Sequence, residues 1–355
     1  MEDDSGHGSR GARATDDPSL REAVRAAYGL AAAPVDLGGS SSLNLLADDG
    51  VDRFVVRVYR AHVTAGRLAD IQRVRRVLRE AAVPVAQTVR TREGAEWVVA
   101  GGRLVEVERF VEHDAAMSSW PRLARGMPWL ARIHSVLAGV TVGPEGRHPL
   151  FANHVHAADV LEWTRRGTER MRRWGPREVH LAEQADRLAE AVDAAMTPLR
   201  ERLPPPQLVH GDFWDDNVLL RRGRVVLVTD FEFVGERPRI DDLALTLYFA
   251  ESTLGAVDED GRLGRLCALV DAYDSALSHP LSPAERAALP VALARQPLWG
   301  IGRWVALLDD EAAARRHAAT LTDDLRRARQ VLDRLPRWQA AMAGMKARSR
   351  GRSRR

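Results

Sequence analysis

The chain has 355 residues, 45% hydrophobic and 28% charged, which suffices for a substantial core in two domains or two lobes. No apolar run approaches the ~18 residues of a membrane span, so a membrane protein is not expected. The formal charge of +3 comes from the end "KARSRGRSRR", which holds six positive charges and reads as a solvated tail, so a nucleic-acid partner is not expected.

Residues 1–18 read as a disordered leader without a hydrophobic signal segment. Leu20, Val24, Ala27 and Leu30 have helical spacing. "DLGGSSSLN", residues 36–44, is a turn cluster, and "RFVVRVYR", residues 53–60, is a β-branched strand. Residues 66–82 place Leu68, Ile71, Val74, Leu78 and Ala81 on one helical face. "VPVAQTV" and "EWVVAGGRLVEVERFV" add strands, the second with a Gly-Gly turn. These elements predict a small antiparallel lobe over 19–111, with a boundary at 112–118.

Helical patterns then dominate residues 112–340, over 121–138, 157–174 and 181–202. "SPAE" at 282–285 marks a capped helix start, and helices fill most of 284–335 with Pro290 and Pro297 as expected breaks. Residues 341–355 form the basic tail. Cys267 is the only cysteine and Lys346 the only lysine. A reducing cytoplasm is therefore the expected location, and any permanently cationic site inside the fold must use arginine.

One stretch interrupts the helical half: "LVHGDFWDDNVLLRRGRVVLVTDFEF", residues 208–233. "QLV" and "VLL" are too short for helices, and "RRGR" at 221–224 reads as a hairpin turn. That pairing sets Asn217 opposite about Val228, with Asp230 at the same end of the ribbon, within roughly 7 Å. Two oxygen donors with otherwise open coordination suit Mg²⁺. His210-Gly211-Asp212, four residues and Asn217 follow the spacing of the protein-kinase catalytic loop, and Asp230-Phe231-Glu232 stands where Asp-Phe-Gly would.

With these motifs the chain resembles the aminoglycoside phosphotransferase and choline kinase-like group of small-molecule kinases, over roughly residues 20–335. The resemblance implies an α+β, bilobal protein-kinase-like fold that uses ATP and Mg²⁺. It implies Asp212 as catalytic base, His210 as brace of its loop, Asn217 and Asp230 as metal ligands, and Asp242 as the tie between that loop and the next helix. Gly38, Gly39 and Ser40 resemble the phosphate-covering loop, and "ERFV", with Arg109 and Val111, the hinge that holds adenine. Arg57 stands where such kinases carry a lysine, and Asp70 or Gln72 near the place of its usual helical partner.

The expected activity is transfer of the γ-phosphoryl group to a hydroxyl of a small molecule; a nucleotide-binding pseudokinase is the alternative. Trp214, Asp215 and Glu232 are candidate acceptor contacts, joined by Trp299 and Trp304. Together with Asp216, Glu236 and Glu251, the acids favour a cationic or polyhydroxylated acceptor. The acceptor's identity and the oligomeric state are not legible.

Overall fold

Asp17 starts the first helix, α1 (Pro18–Tyr28), because its carboxylate accepts from the Leu20 N–H at 2.9 Å and Pro18 fits the first turn. Gly29, at φ 76°, ends it by closing on the Arg25 carbonyl. The structure, a computed structural model, describes residues 13–39, 42–150, 152–255 and 258–343, with the side chains of 31–34 left aside. Ser40, most of the leader and nearly all of the basic tail lie outside the described residues. Contacts divide the chain into two units. The first runs to Asp114 and includes Thr141–Leu150 and Leu219–Thr229; the second comprises Ala115–Val140, Phe151–Val218 and the chain from Asp230.

In the first unit, strands β1 (Ala31–Asp36), β2 (Leu43–Asp48), β3 (Arg53–Val58), β4 (Thr88–Val89), β5 (Val98–Ala100) and β6 (Arg103–Arg109) form one antiparallel sheet. Its order is β1-β2-β3-β6-β4, with β5 also on β6. Leu43, Leu45, Val56, Val58, Val105 and Val107 alternate onto one buried face. Each such side chain contributes ~1.5–3 kcal/mol. Helix α2 (Ala65–Glu80), capped by Thr64, buries Leu68, Ile71, Val74 and Leu78. The strand expected over 83–89 shrinks to Thr88–Val89. Pro84 has no N–H to pair, and the amides of Val83 and Val85 bond locally to the carbonyls of Leu78 and Val83.

The second unit begins with α3 (Trp120–Leu137), α4 (Val160–Met171) and α5 (Pro176–Arg200). The short strand β7 (Gln207–Val209) leads to a hairpin of β8 (Val218–Arg221) and β9 (Arg224–Val228). Arg222 (φ 49°) and Gly223 (φ 73°) are both left-handed, as a two-residue hairpin turn of the favoured twist requires. The hairpin body belongs to the first unit, while Asn217 and Asp230 at its open ends belong to the second. Strand β10 (Gly235–Arg237) returns antiparallel to β7, with Gly235 opposite Val209.

Helices α6 (Arg239–Thr253), α7 (Glu259–Ala276), α8 (Pro283–Gly300), α9 (Glu311–Thr320), α10 (Thr322–Asp333) and α11 (Leu335–Ala343) complete the unit. The predicted capping box of Ser282 and Glu285 is present. The predicted breaks are not: α8 runs through Pro290 and Pro297. Nearly every residue of α8 is buried against α4, α5, α6, α10 and α11, and that packing outweighs the ~3 kcal/mol each internal proline costs. No helix among the described residues is long and apolar enough to cross a membrane.

Candidate active site

β7 delivers the chain into the loop 210–217. Gly211 takes φ 87°, and a Cβ there would collide with the Phe233 carbonyl, so this position must be glycine. The loop is held from behind by Asp242, buried in the first turn of α6. Its Oδ2 accepts from the His210 N–H at 3.1 Å and from His134 Nε2 at 3.0 Å, and its Oδ1 from the Gly211 N–H at 3.0 Å. His134 Nδ1 faces the Tyr273 hydroxyl at 2.6 Å. Burial opposes ionisation of Asp242, yet His134 and the nearby Arg237 hold its carboxyl below the usual range. His210 is fully buried, its ring 4.6 Å from that of Phe231, and its Nδ1 accepts from the Asp212 N–H at 3.2 Å.

Asp212 is clamped on both sides. Asn217 Nδ2 donates to its Oδ2 and to its backbone carbonyl, each at 2.9 Å. Asn153 Nδ2 donates to Oδ1 at 2.9 Å. Burial and then the Asp230 charge push the Asp212 carboxyl up to about 7, against the pull of those two amides. Asp230 itself sits in the left-handed region (φ 60°, ψ 68°) and accepts from the Glu232 N–H at 3.4 Å. A non-glycine residue held there is strained, a recurrent mark of functional sites.

Asp212, Asn217, Asp230, His210 and Asp242 thus gather in one unit. Trp214 continues the loop, its N–H on the Asp212 carbonyl at 2.9 Å and its ring 5.8 Å from that of Phe249. Asp215, left-handed at φ 29°, has its carboxyl raised by burial and by Asp216, and its carbonyl accepts from the Met117 N–H. Trp299 Nε1 donates to the Ala152 carbonyl at 2.6 Å, next to Asn153, and Trp304 stands edge-on to Trp299.

The other expected residues lie in the first unit. Gly38 (φ 88°) and Gly39 (φ 104°) form a left-handed pair between β1 and β2. The Gly38 N–H is tied to Asp36 and its carbonyl to Asn44 Nδ2. Arg57 is buried on β3 opposite Glu106, and its Nη2 reaches Thr229 Oγ1 at 3.0 Å and Glu108 Oε2 at 4.0 Å. The Arg109 N–H is committed to the Gln87 carbonyl and its guanidinium to Asp52, while the Val111 carbonyl accepts from His113 Nδ1.

Asp70 and Gln72 have other engagements. Asp70 accepts from the amides of Gly143 and Gly146, and Gln72 donates to Glu106 at 2.8 Å. The charge pattern is inverted instead: the helix contributes Arg75, and β6 contributes both acids, with Arg75 bonded to Glu106 at 2.6 Å and paired with Glu108. Glu251 is likewise engaged, by Arg262. The alternation of Glu106 and Glu108 with buried valines in "VEVER" could have revealed the first case, because a two-residue period puts both acids on one face. No motif marks Asn153, which stands 59 residues before its partner.

Comparison with known proteins gives the family and the fold. The phosphotransferase enzyme family (APH) matches residues 31–277. A homoserine kinase of Phenylobacterium zucineum (strain HLK1) is 28% identical over 264 residues, spanning 71% of this chain and 73% of that protein. A microcompartment-associated aminopropanol kinase superposes with a TM-score of 0.69 at 21% identity, covering 90% of this chain and 98% of that one. An amicoumacin kinase, solved with AMP-PNP, Ca²⁺ and Ami, follows at TM-score 0.65 and 15% identity, covering 88% and 93%. The fold is therefore protein-kinase-like, α+β and bilobal, and the chain belongs to the phosphotransferase enzyme family as a small-molecule kinase.

Proposed function

We propose that the protein transfers the γ-phosphoryl group of ATP to a hydroxyl of a small polar molecule, with Asp212 as the base. The observation that carries this reading is the two-sided clamp: Asn153 and Asn217 fix both carboxylate oxygens, and Asp242 fixes the backbone beneath them. Such a carboxylate is prepared to orient one hydroxyl and to accept its proton as transfer proceeds. Positioning supplies much of the acceleration in this chemistry, so rigidity of the loop matters as much as basicity.

The donor set suits a hard divalent cation. Asn217 and Asp230 offer only oxygen, and the charge of Asp230 adds to burial in opposing ionisation of Asp212, a repulsion a cation would relieve. Mg²⁺ held by Asn217 and Asp230 would neutralise charge on the β- and γ-phosphates. Arg57 would hold phosphate oxygens with a charge that never titrates, the Gly38–Ser40 turn would cover them, and the hinge around Arg109 and Val111 would meet the base. The homoserine kinase and aminopropanol kinase similarities put hydroxylated amino acids and amino alcohols first among acceptors.

An acceptor panel incubated with ATP and Mg²⁺ tests the reading by mass spectrometry. A gain of one phosphoryl group on a panel member is expected. Nucleotide binding without a phosphorylated acceptor, across amino alcohols, hydroxylated amino acids and aminoglycosides, would contradict it.

A further inference from the structure

Three cationic or basic side chains of the second unit are almost wholly buried and under-satisfied. Arg237 and Arg295 are each 1% exposed and His154 is 5% exposed. Among the described residues, Nε and Nη1 of Arg237, Nε of Arg295 and both ring nitrogens of His154 meet no hydrogen-bond partner. Arg237 uses only Nη2, on the Phe233 carbonyl at 3.1 Å, and Arg295 is paired with Asp241 at 2.6 Å. Leaving several such groups buried and unmatched is expensive, and native proteins rarely do so without something to fill the place.

The three belong to one neighbourhood, and it flanks the catalytic loop. Arg237, Arg295 and Arg303 all act on the His154 ring electrostatically, and Arg237 feels Asp212, Asp241 and Asp242. Arg237 lies against Gly211, the residue before Asp212. His154 follows Asn153, whose amide holds Asp212, and the Trp299 bond to Ala152 fixes that segment. The negative charges nearby are already spoken for: Asp242 by His134 and two amides, Asp241 by Arg295.

We propose that Arg237, Arg295 and His154 form a buried anion-binding subsite beside Asp212 that receives a carboxylate of the acceptor. The donors flank the residue that must face the acceptor hydroxyl, which assigns the anion to the acceptor and not to the nucleotide. The acids in the motif led to the expectation of a cationic or polyhydroxylated acceptor; the subsite adds an anionic group to what the acceptor must carry. It rests on the phosphotransferase reading above and narrows the acceptor to hydroxylated acids such as hydroxylated amino acids.

The test has two arms. In the first, L-homoserine, L-serine and L-threonine are compared as acceptors with their carboxamides. The carboxylate form is expected to be preferred by about 10–100-fold in kcat/KM, mainly through KM, as charge-assisted hydrogen bonds imply. Arg237→Gln and His154→Phe should bring that ratio close to one; amides that match the acids in the wild-type protein overturn the proposal. The second arm needs no turnover, so it separates failure of the subsite from failure of the kinase reading. At constant ionic strength, the same amino acids, their amides, sulfate and phosphate are tested for thermal stabilisation. Stabilisation by a carboxylate form alone, lost in His154→Phe, supports the subsite. Equal stabilisation by sulfate or phosphate assigns a free inorganic anion and overturns the acceptor assignment, and no stabilisation by any anion overturns the subsite. Should Arg237→Gln fail to fold, the wild-type comparisons and His154→Phe decide.

Discussion

Asn153 donates its side-chain amide to Asp212 Oδ1 at 2.9 Å from a segment far upstream of the catalytic loop. It touches Asp212 on the side opposite Asn217, and without it the carboxylate could rotate. Asn153→Ala should therefore lower kcat by about 10-fold or more while leaving ATP affinity within about twofold, because misplacing a reacting group costs rate and not nucleotide binding. Steady-state kinetics with ATP varied at saturating acceptor measures this, and an unchanged kcat would remove Asn153 from the site.

Asp242 is the fixed point beneath the loop. Asp242→Ala strands the N–H groups of His210 and Gly211 together with His134 in a buried environment. A loss of about 3–5 kcal/mol is expected, since breaking one partner of a buried charged network leaves the others uncompensated. Asp242→Asn should lose less, because one acceptor remains. Urea unfolding of the three proteins orders them; equal midpoints would mean the carboxylate is dispensable.

Arg57 serves two masters in the first unit. It lies opposite Glu106 and near Glu108, so Arg57→Ala should destabilise the protein as well as weaken ATP binding, by roughly tenfold or more in affinity. Arg57→Lys keeps the charge but not the planar fork, and should recover more stability than ATP affinity. Calorimetry with a non-hydrolysable ATP analogue beside thermal melts separates the two effects. ATP affinity unchanged in Arg57→Ala would exclude the phosphate role.

Acid should destabilise the second unit through His154. Burial, reinforced by Arg237, His156, Arg295 and Arg303, holds the folded imidazole well below its ordinary value of 6.5. Below that value the unfolded chain takes up a proton that the folded chain refuses, so the His154 contribution to stability is lost as pH falls through about 6.5. Asp212, raised to about 7, pulls the other way in the same range, so the comparison between variants carries the test: without added anions, the urea midpoint of the wild-type protein should fall relative to that of His154→Gln between pH 7.5 and 5.5. Parallel pH profiles would contradict the assignment.

Much of the fold could be read because its signals are local. The capping box of α8 and the hairpin turn at Arg222 and Gly223 each lie within a few residues, whereas the Asp17 cap of α1 fell within the span read as leader. The family, too, was legible, since "HGDxxxxN" and "DFE" fall within one stretch. What escaped depends on distance in sequence. The prolines of α8 are overruled by packing from five other helices. Asn153 and His134 reach the loop from segments with no motif, and the acid near Arg57, Glu108, sits on a strand where a helix was expected to supply one. Buried charge with donors left unmatched, as at Arg237, leaves no trace in the sequence.

In the proposed transfer, Asp212 receives the proton of the acceptor hydroxyl. The most direct measurement is single-turnover phosphoryl transfer by the wild-type protein and by Asp212→Asn, with ATP, Mg²⁺ and the best acceptor, alongside ATP affinity for both. A rate lower by about 10²–10⁴-fold in Asp212→Asn, with ATP affinity retained, is predicted. Transfer at a wild-type rate in Asp212→Asn would contradict the account.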